Sequence, residues 1–137
     1  MQSKQELVAI VNDTARPILE REKAIHALQG QSLGPTEIDA LINALSDNAV
    51  GVRWAAGVAL AARGRSVLPA VLHALIQPTC NSLLCASVHH ILHDNASPEL
   101  RTEAAELLDA LEGPAPDVTA MDVAAQWLQQ IDNAQQE

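Results

Sequence analysis

Three histidines stand close together in the sequence, at His89, His90 and His93, and Cys85 precedes them. Cysteine sulfur and imidazole nitrogen are the ligands that zinc prefers in proteins. On a helix, Cys85, His89 and His93 would follow one another at four-residue spacing along one stripe. Such a stripe spans about 12 Å, which separates Cys85 too far from His93 for one ion. His89 and His93 are then the two usable ligands, and we expect no resident metal.

No other stretch has the residue pattern of a known catalytic site. The glycine loops that bind phosphate or dinucleotides and the elbow motif of serine hydrolases are absent from the sequence. Gly51 and Gly57 lie inside a predicted helix, where glycine indicates close packing rather than phosphate binding. We therefore expect a protein that is not an enzyme and that has no cofactor.

The charge is unevenly distributed along the 137 residues. The chain has 17 acidic and 8 basic side chains, a formal net charge of −9. Residues 1–65 are balanced, whereas residues 66–137 hold ten acidic groups and only Arg101 as a basic one. An acidic surface repels phosphate backbones, which argues against nucleic-acid binding. It suits a basic segment or helix of a protein partner, although solubility alone also explains an acidic surface.

The sequence also bears on location and on the cysteines. It has no apolar run long enough for a signal peptide or a membrane span, so we expect a cytoplasmic protein without membrane contact. The two cysteines are Cys80 and Cys85. On one helix their side chains would point to different sides, so we expect reduced thiols and no disulfide between them.

Apolar residues recur with helical spacing, and no run alternates with the period of a strand. Ser3 and Glu6 predict a capping box at the first helix. The central helix falls within residues 47–64 and is apolar nearly all round, so neighbours must cover most of it. Thr14 and Ser66 are candidate caps for the helices that follow them. The other predicted helices cover residues 15–29, 35–45, 66–76, 81–93, 97–112 and 119–132, with a tail at 133–137 that we expect to fray.

A pattern of arginine, small residues and leucine recurs along the chain at intervals typical of helical repeats. The first copy is followed by the second after 32 residues, by a third after 31 and by a fourth after 37. The copies are Arg21-x-x-Ala24-x-x-Ala27-Leu28, Arg53-x-x-Ala56-x-x-Ala59-Leu60, Leu84-x-x-Ser87-x-x-His90-Ile91 and Met121-x-x-Ala124-x-x-Trp127-Leu128.

This pattern resembles the HEAT-like repeat family, in the short form also seen in phycobilisome-lyase-type proteins. The resemblance rests on Leu45-x-Asp47, then Val52-Arg53-x-x-Ala56-x-x-Ala59-Leu60, then Gly64, and it covers roughly residues 15–132. It implies an all-α fold in one domain over 1–137: a right-handed α-solenoid of about three and a half helical hairpins, with residues 1–14 as a capping helix. It also implies that Asp47 and Arg53 are structural and tie neighbouring units together.

Most proteins of this family bind other proteins, so the resemblance implies a non-catalytic interaction or scaffold module. Trp54, with Val58 and Ala61, is expected to face away from the core, where a homodimer or a larger partner would cover it. The second helix of each hairpin would line the concave side of the solenoid. The outward residues of that side would be Asp39, Asn43, His73, Glu103 and Glu106.

The alternative is a metal-binding or bilin-handling HEAT-like enzyme subunit. The HEAT-like enzymes with a di-iron centre, the deoxyhypusine hydroxylases, use His-Glu pairs on successive repeats, and the nearest match here is a single His93-Asp94. Bilin binding would call for aromatic residues that stack on a tetrapyrrole, and this chain has only Trp54 and Trp127.

Overall fold

The computed structural model describes residues 3–78 and 80–136, and within them every regular element is a helix. The prediction of an all-helical protein is therefore confirmed. No helix in these two ranges has both the length and the apolar character needed to cross a bilayer. The helices are α1 (Lys4–Asn12), α2 (Ile18–Gln29), α3 (Pro35–Ala44), α4 (Val50–Ala61), α5 (Leu68–Leu75), α6 (Ser82–His93), α7 (Pro98–Glu103), α8 (Ala105–Glu112) and α9 (Pro116–Gln136), with a 3₁₀ turn (Gly64–Val67) before α5.

Some helix starts agree with the sequence signals and others do not. The hydroxyl of Ser3 accepts a hydrogen bond from the main-chain nitrogen of Glu6 at 3.2 Å, as the capping motif predicts. Thr14 does not cap α2, which begins after Pro17 without a side-chain cap. Ser66 lies within the 3₁₀ turn, where its hydroxyl donates to a main-chain oxygen, so it does not cap α5.

The C-terminal helices also differ from the sequence prediction. The helix expected over residues 97–112 is divided into α7 and α8, which meet at Ala104. The last helix begins at Pro116 rather than near Thr119. Proline suits the first turn because it has no main-chain N–H, and the N–H groups of that turn have no acceptor within the helix. Asp117 in the same turn interacts favourably with the positive end of the helix dipole. This helix continues past Asn133 to Gln136, through residues that we expected to fray.

The helices pack as two rows of neighbours. In one row α1, α3, α5 and α9 follow one another, and in the other α2, α4, α6 and α8 do. The rows contact each other through the pairs α1–α2, α3–α4, α5–α6 and α8–α9. From the sequence, the helix over 97–112 was expected to follow α5. Instead α9 lies beside α5, and α8 lies beside α6.

The core around α4 is made of small and aliphatic side chains. Val52, Ala56, Ala59 and Leu60 are fully buried, as their spacing predicts. The methyl side chains allow α2, α3 and α6 to approach α4 closely, which compensates for the absence of Phe and Tyr from the sequence. Ala61 was expected to face away from the core but is also buried, because the chain that follows α6 covers the end of α4.

Gly64 ends this part of the core in a backbone conformation that favours glycine. Its φ is +66°, in the left-handed region. A Cβ atom added here would lie 2.9 Å from the hydroxyl oxygen of Ser97. The segment after α6 also binds this turn, since the Asn95 side-chain amide donates to the Gly64 carbonyl oxygen at 3.3 Å.

We expect Gly64→Ala to lower the free energy of unfolding by about 1–3 kcal/mol, because it combines a strained φ with a contact on Ser97. Gly30→Ala is the matched control: Gly30 also ends a helix, but its φ is −81° and the nearest atom would be 3.8 Å from the new Cβ. Its effect should stay within about 0.5 kcal/mol. Urea unfolding of both variants measures the difference, and equal effects would contradict the assignment of strain to Gly64.

Candidate functional site

An apolar groove lies on the surface between α4 and α6, and we call it the Trp54 groove. It has a volume of about 220 Å³, and its lining is almost wholly apolar. Pockets for drug-sized ligands and cofactors are usually larger, roughly 300–1,000 Å³. The groove is therefore better matched to one or two apolar side chains of a protein. The residues that define it are Val50, Arg53, Trp54 and Gly57 on α4 and Leu83, Ala86, Ser87 and His90 on α6.

Trp54 is the largest exposed side chain of this groove. It is 62% exposed, and Val50, one turn earlier on α4, is 70% exposed. The indole ring lies against the imidazole of His90, with 4.6 Å between the ring centroids and a 32° tilt between the planes. Gly57 lies beside this ring, and a Cβ added there would be 3.5 Å from Cδ2 of His90, an ordinary van der Waals contact. The prediction that Trp54 faces away from the core agrees with this placement.

The imidazole of His90 is held on its other side by Asp94. Nδ1 of His90 lies 2.9 Å from one oxygen of the Asp94 carboxylate, and Nδ1 of His93 lies 3.0 Å from the other. Hydrogen bonding with His93, together with the electrostatic interaction with His90 and His93, lowers the pKa of Asp94 below its ordinary value. One carboxylate thus fixes the ring that contacts Trp54.

The histidines are paired with carboxylates rather than gathered around a common point. Nε2 of His89 lies 2.9 Å from a carboxylate oxygen of Glu112, at the end of α8. His89 and His93 stack with 5.7 Å between ring centroids, while Cys85 is buried. In the part of the chain that the structure describes, no three His, Cys, Asp or Glu side chains are placed to hold a metal ion. The carboxylates of Glu112 and Asp94 occupy one nitrogen of each ring, Nε2 of His89 and Nδ1 of His93.

The residues predicted for the concave face are all exposed but do not share one surface. Asn43 lines a groove that α3 forms with the end of α5 and the start of α6. Glu103 and Glu106 instead line a groove of about 320 Å³ between the α7–α8 segment and α9, together with Trp127. Glu103 and Glu106 lie apart from the other predicted residues because α9, and not α8, packs beside α5. Asp39 on α3 and His73 on α5 belong to the other row of helices.

The Asp47 carboxylate ties the connection between α3 and α4 to α2, because its side-chain partner is Arg21 and not Arg53. Arg21 is 4% exposed, and its guanidinium donates to the main-chain oxygen of Val11 at 2.8 Å and to the Asp47 carboxylate at 2.5 Å. Arg53 donates to the main-chain oxygen of Asp47 at 2.6 Å, just before its own helix α4. Sequence reasoning missed the role of Arg21, although Arg21 and Arg53 occupy the same place in the repeat.

The cysteines are placed differently from the expectation as well. Cys80 does not lie on α6, which begins at Ser82. It lies just before the helix, and its sulfur is 3.9 Å from the sulfur of Cys85. The two cysteines are thus not on one helix, and their side chains do not point apart.

Comparison of the chain with protein-family models, with curated proteins and with solved structures found no match. The resemblance to HEAT-like repeats therefore rests on the sequence pattern alone.

We expect Asp47→Asn to lower the free energy of unfolding by about 1–3 kcal/mol at neutral pH, because the Asp47 carboxylate accepts charge-assisted hydrogen bonds. Burial raises the pKa of Asp47, but hydrogen bonds from Arg21 and from the Ala49 main chain and the charges of Arg21 and Arg53 outweigh it and bring the pKa below 3.8. Because the pKa of Asp47 is lower in the folded state, the ionised carboxylate stabilises the fold at pH values above its pKa in the unfolded chain. This stabilisation is lost as the pH falls through the pKa of the folded state.

The difference between wild type and Asp47→Asn should therefore be constant at neutral pH and shrink below about pH 4. Urea unfolding at a series of pH values measures it. Asp39→Asn, at an exposed carboxylate on α3, should change stability by less than about 0.5 kcal/mol. A difference for Asp47→Asn that stays the same down to pH 3 would show that the Asp47 charge does not matter.

Proposed function

We propose that the chain is a non-catalytic protein–protein interaction module, built as an α-solenoid of HEAT-like hairpins, that holds its partner at the Trp54 groove. The observation that carries this proposal is the 62% exposure of Trp54 beside an apolar groove. Tryptophan is enriched among the residues that contribute most to protein–protein binding, because it offers a large apolar face and one hydrogen-bond donor.

Contacts that recur from one unit to the next support the repeat architecture. Arg63, which follows α4, donates to the main-chain oxygens of Gln29 and Gln31 at 2.8 Å and so satisfies the end of α2. Asn95 follows α6 and stands 32 residues after Arg63. Its side-chain amide donates to the main-chain oxygen of Gly64, just after α4. In both cases the residue after one helix caps the end of the previous helix in the same row.

The surroundings of Trp54 support a bound protein rather than a small ligand. Val50 and Trp54 expose a continuous apolar strip along α4, and Leu83 and Ala86 continue it onto α6. The groove is open and shallow, so it would bury only part of a small molecule. An apolar residue on a partner helix or loop would cover Trp54 and displace water from the strip.

The charge distribution suggests a further property of the partner. The ten acidic groups of residues 66–137 include Glu103 and Glu106, which line the groove beside Trp127. Glu103 is paired with Arg65 at 2.5 Å, whereas Glu106 is exposed. A partner with basic residues would be steered towards this half of the molecule, and its binding would weaken with added salt.

We expect immobilised wild-type protein to capture a partner from the native cell extract that Trp54→Ala fails to capture, with affinity reduced about 30-fold or more. Val118→Ala is the matched control, because Val118 is 61% exposed but lies on α9, away from the groove. The control should capture the partner as wild type does. Mass spectrometry of the captured proteins measures the difference.

Light scattering after size-exclusion chromatography shows whether the partner is a second copy of the chain. A wild-type dimer that becomes a monomer in Trp54→Asp would identify the groove as the dimer contact. If wild type, Trp54→Ala and Val118→Ala capture the same proteins equally and all are monomers, the Trp54 groove is not the binding site.

A further inference from the structure

The two cysteines lie close together at the start of α6. Cys80 is half-buried in the connection from α5, and Cys85 is buried in the first turn of α6. Their sulfur atoms are 3.9 Å apart. A disulfide bond is about 2.05 Å long, so roughly 2 Å separates the thiols from bonding distance. Rotation about the Cα–Cβ bond of a cysteine can close a gap of this size without displacing a helix.

The local backbone explains why residues five positions apart meet. Asn81 is the N-cap of α6, and its main-chain oxygen accepts a hydrogen bond from the main-chain nitrogen of Cys85. Side chains on a helix point back towards its N-terminus, so the sulfur of Cys85 points back past the cap. Cys80 directly precedes the cap, and its main-chain nitrogen donates to the oxygen of Gln77 at 3.0 Å. That bond ties Cys80 to the segment that follows α5, two residues before the start of α6.

We propose that Cys80 and Cys85 are a thiol–disulfide exchange site, which takes a small-molecule disulfide as oxidant and closes into a reversible disulfide within the chain. No residue of the Trp54 groove is involved, so this site is independent of the partner-binding proposal.

The reaction proceeds in two displacements. The thiolate of Cys80 attacks one sulfur of the small disulfide, a mixed disulfide forms on Cys80, and one thiolate of the oxidant leaves. Cys85 then loses its proton to solvent and attacks the Cys80 sulfur, which releases the second thiolate. The two cysteines together lose two electrons and two protons, and the oxidant is reduced to two thiols.

Cys80 reacts first and Cys85 second because the two sulfur atoms have different surroundings. Cys80 is the more accessible thiol, so a small disulfide meets it first. Burial raises the pKa of Cys85 to about 12, and the charge of Cys80, its hydrogen bond and the charge of Asp117 add to the rise. The mixed disulfide on Cys80 is uncharged, so the contribution of the Cys80 charge is gone when Cys85 has to ionise, whereas burial and Asp117 still make this second step the slower one. Cys85 thus resolves the intermediate rather than starting the reaction.

Oxidised glutathione is a suitable probe for the full-length protein. After incubation, free thiols are blocked with iodoacetamide and the intact mass is recorded. Wild type should lose the mass of two hydrogen atoms, take up no alkyl group and return to two free thiols with dithiothreitol. Cys85→Ala should accumulate a glutathione adduct on Cys80, and Cys80→Ala should react at least tenfold more slowly.

Far-ultraviolet circular dichroism establishes that both variants keep the helical fold, and the wild-type result does not depend on either variant. A stable glutathione adduct on wild type, a disulfide-linked dimer, or two alkylated cysteines after incubation would overturn the proposal. Equal rates for Cys80→Ala and Cys85→Ala would overturn the assigned order of attack.

Discussion

The buried guanidinium of Arg21 is the constraint on which the arrangement of α1, α2 and α4 depends. A charged group that is 4% exposed must be compensated, because an unpaired buried charge is strongly destabilising. Here the compensation comes from two other segments: the Val11 carbonyl near the end of α1 and the Asp47 carboxylate in the connection between α3 and α4. Three parts of the chain thus have to meet at one side chain. Few relative positions of α1, α2 and α4 satisfy that requirement.

The same carboxylate orients the start of α4. The second oxygen of Asp47 accepts a hydrogen bond from the main-chain nitrogen of Ala49 at 2.9 Å, and Ala49 is the N-cap residue of the helix. Because Ala49 has no side-chain acceptor, Asp47 supplies the cap from two residues upstream. The direction of α4 and its distance from α2 are therefore set by one acidic residue. The side chains of Ala56 and Ala59 then fill the narrow space between the helices.

This close packing also explains the exposure of Trp54. A core built from alanine, valine and leucine at this helix separation has no room for an indole ring. Trp54 therefore lies on the outer side of α4, where the imidazole of His90 contacts it. The fold and the candidate binding surface thus have a common origin. The inner face of α4 holds the small buried residues, and its outer face carries the largest apolar side chain of the groove in solvent.

The sequence predicts the helical class and most buried stripes, because spacing along one helix is a local property. The buried positions of α4 and the capping by Ser3 follow from such spacing. Contacts between elements were harder to predict. Two examples are the pairing of Arg21 with Asp47 and the placement of α9 beside α5. Both depend on how helices pack against one another, and the spacing of residues along one helix does not reveal this. The proximity of Cys80 to Cys85 was missed for a smaller reason, since it depends on α6 beginning two residues after Cys80.

The central claim is that Arg21 and Asp47 together tie α2 to the connection between α3 and α4. A double-mutant cycle tests it most directly, with Arg21→Met, Asp47→Asn and the double variant compared by urea unfolding at pH 7. The account predicts a coupling free energy of about 1–3 kcal/mol, with the double variant less destabilised than the sum of the single variants. Effects that add to within about 0.5 kcal/mol would contradict it, because each residue would then act without the other.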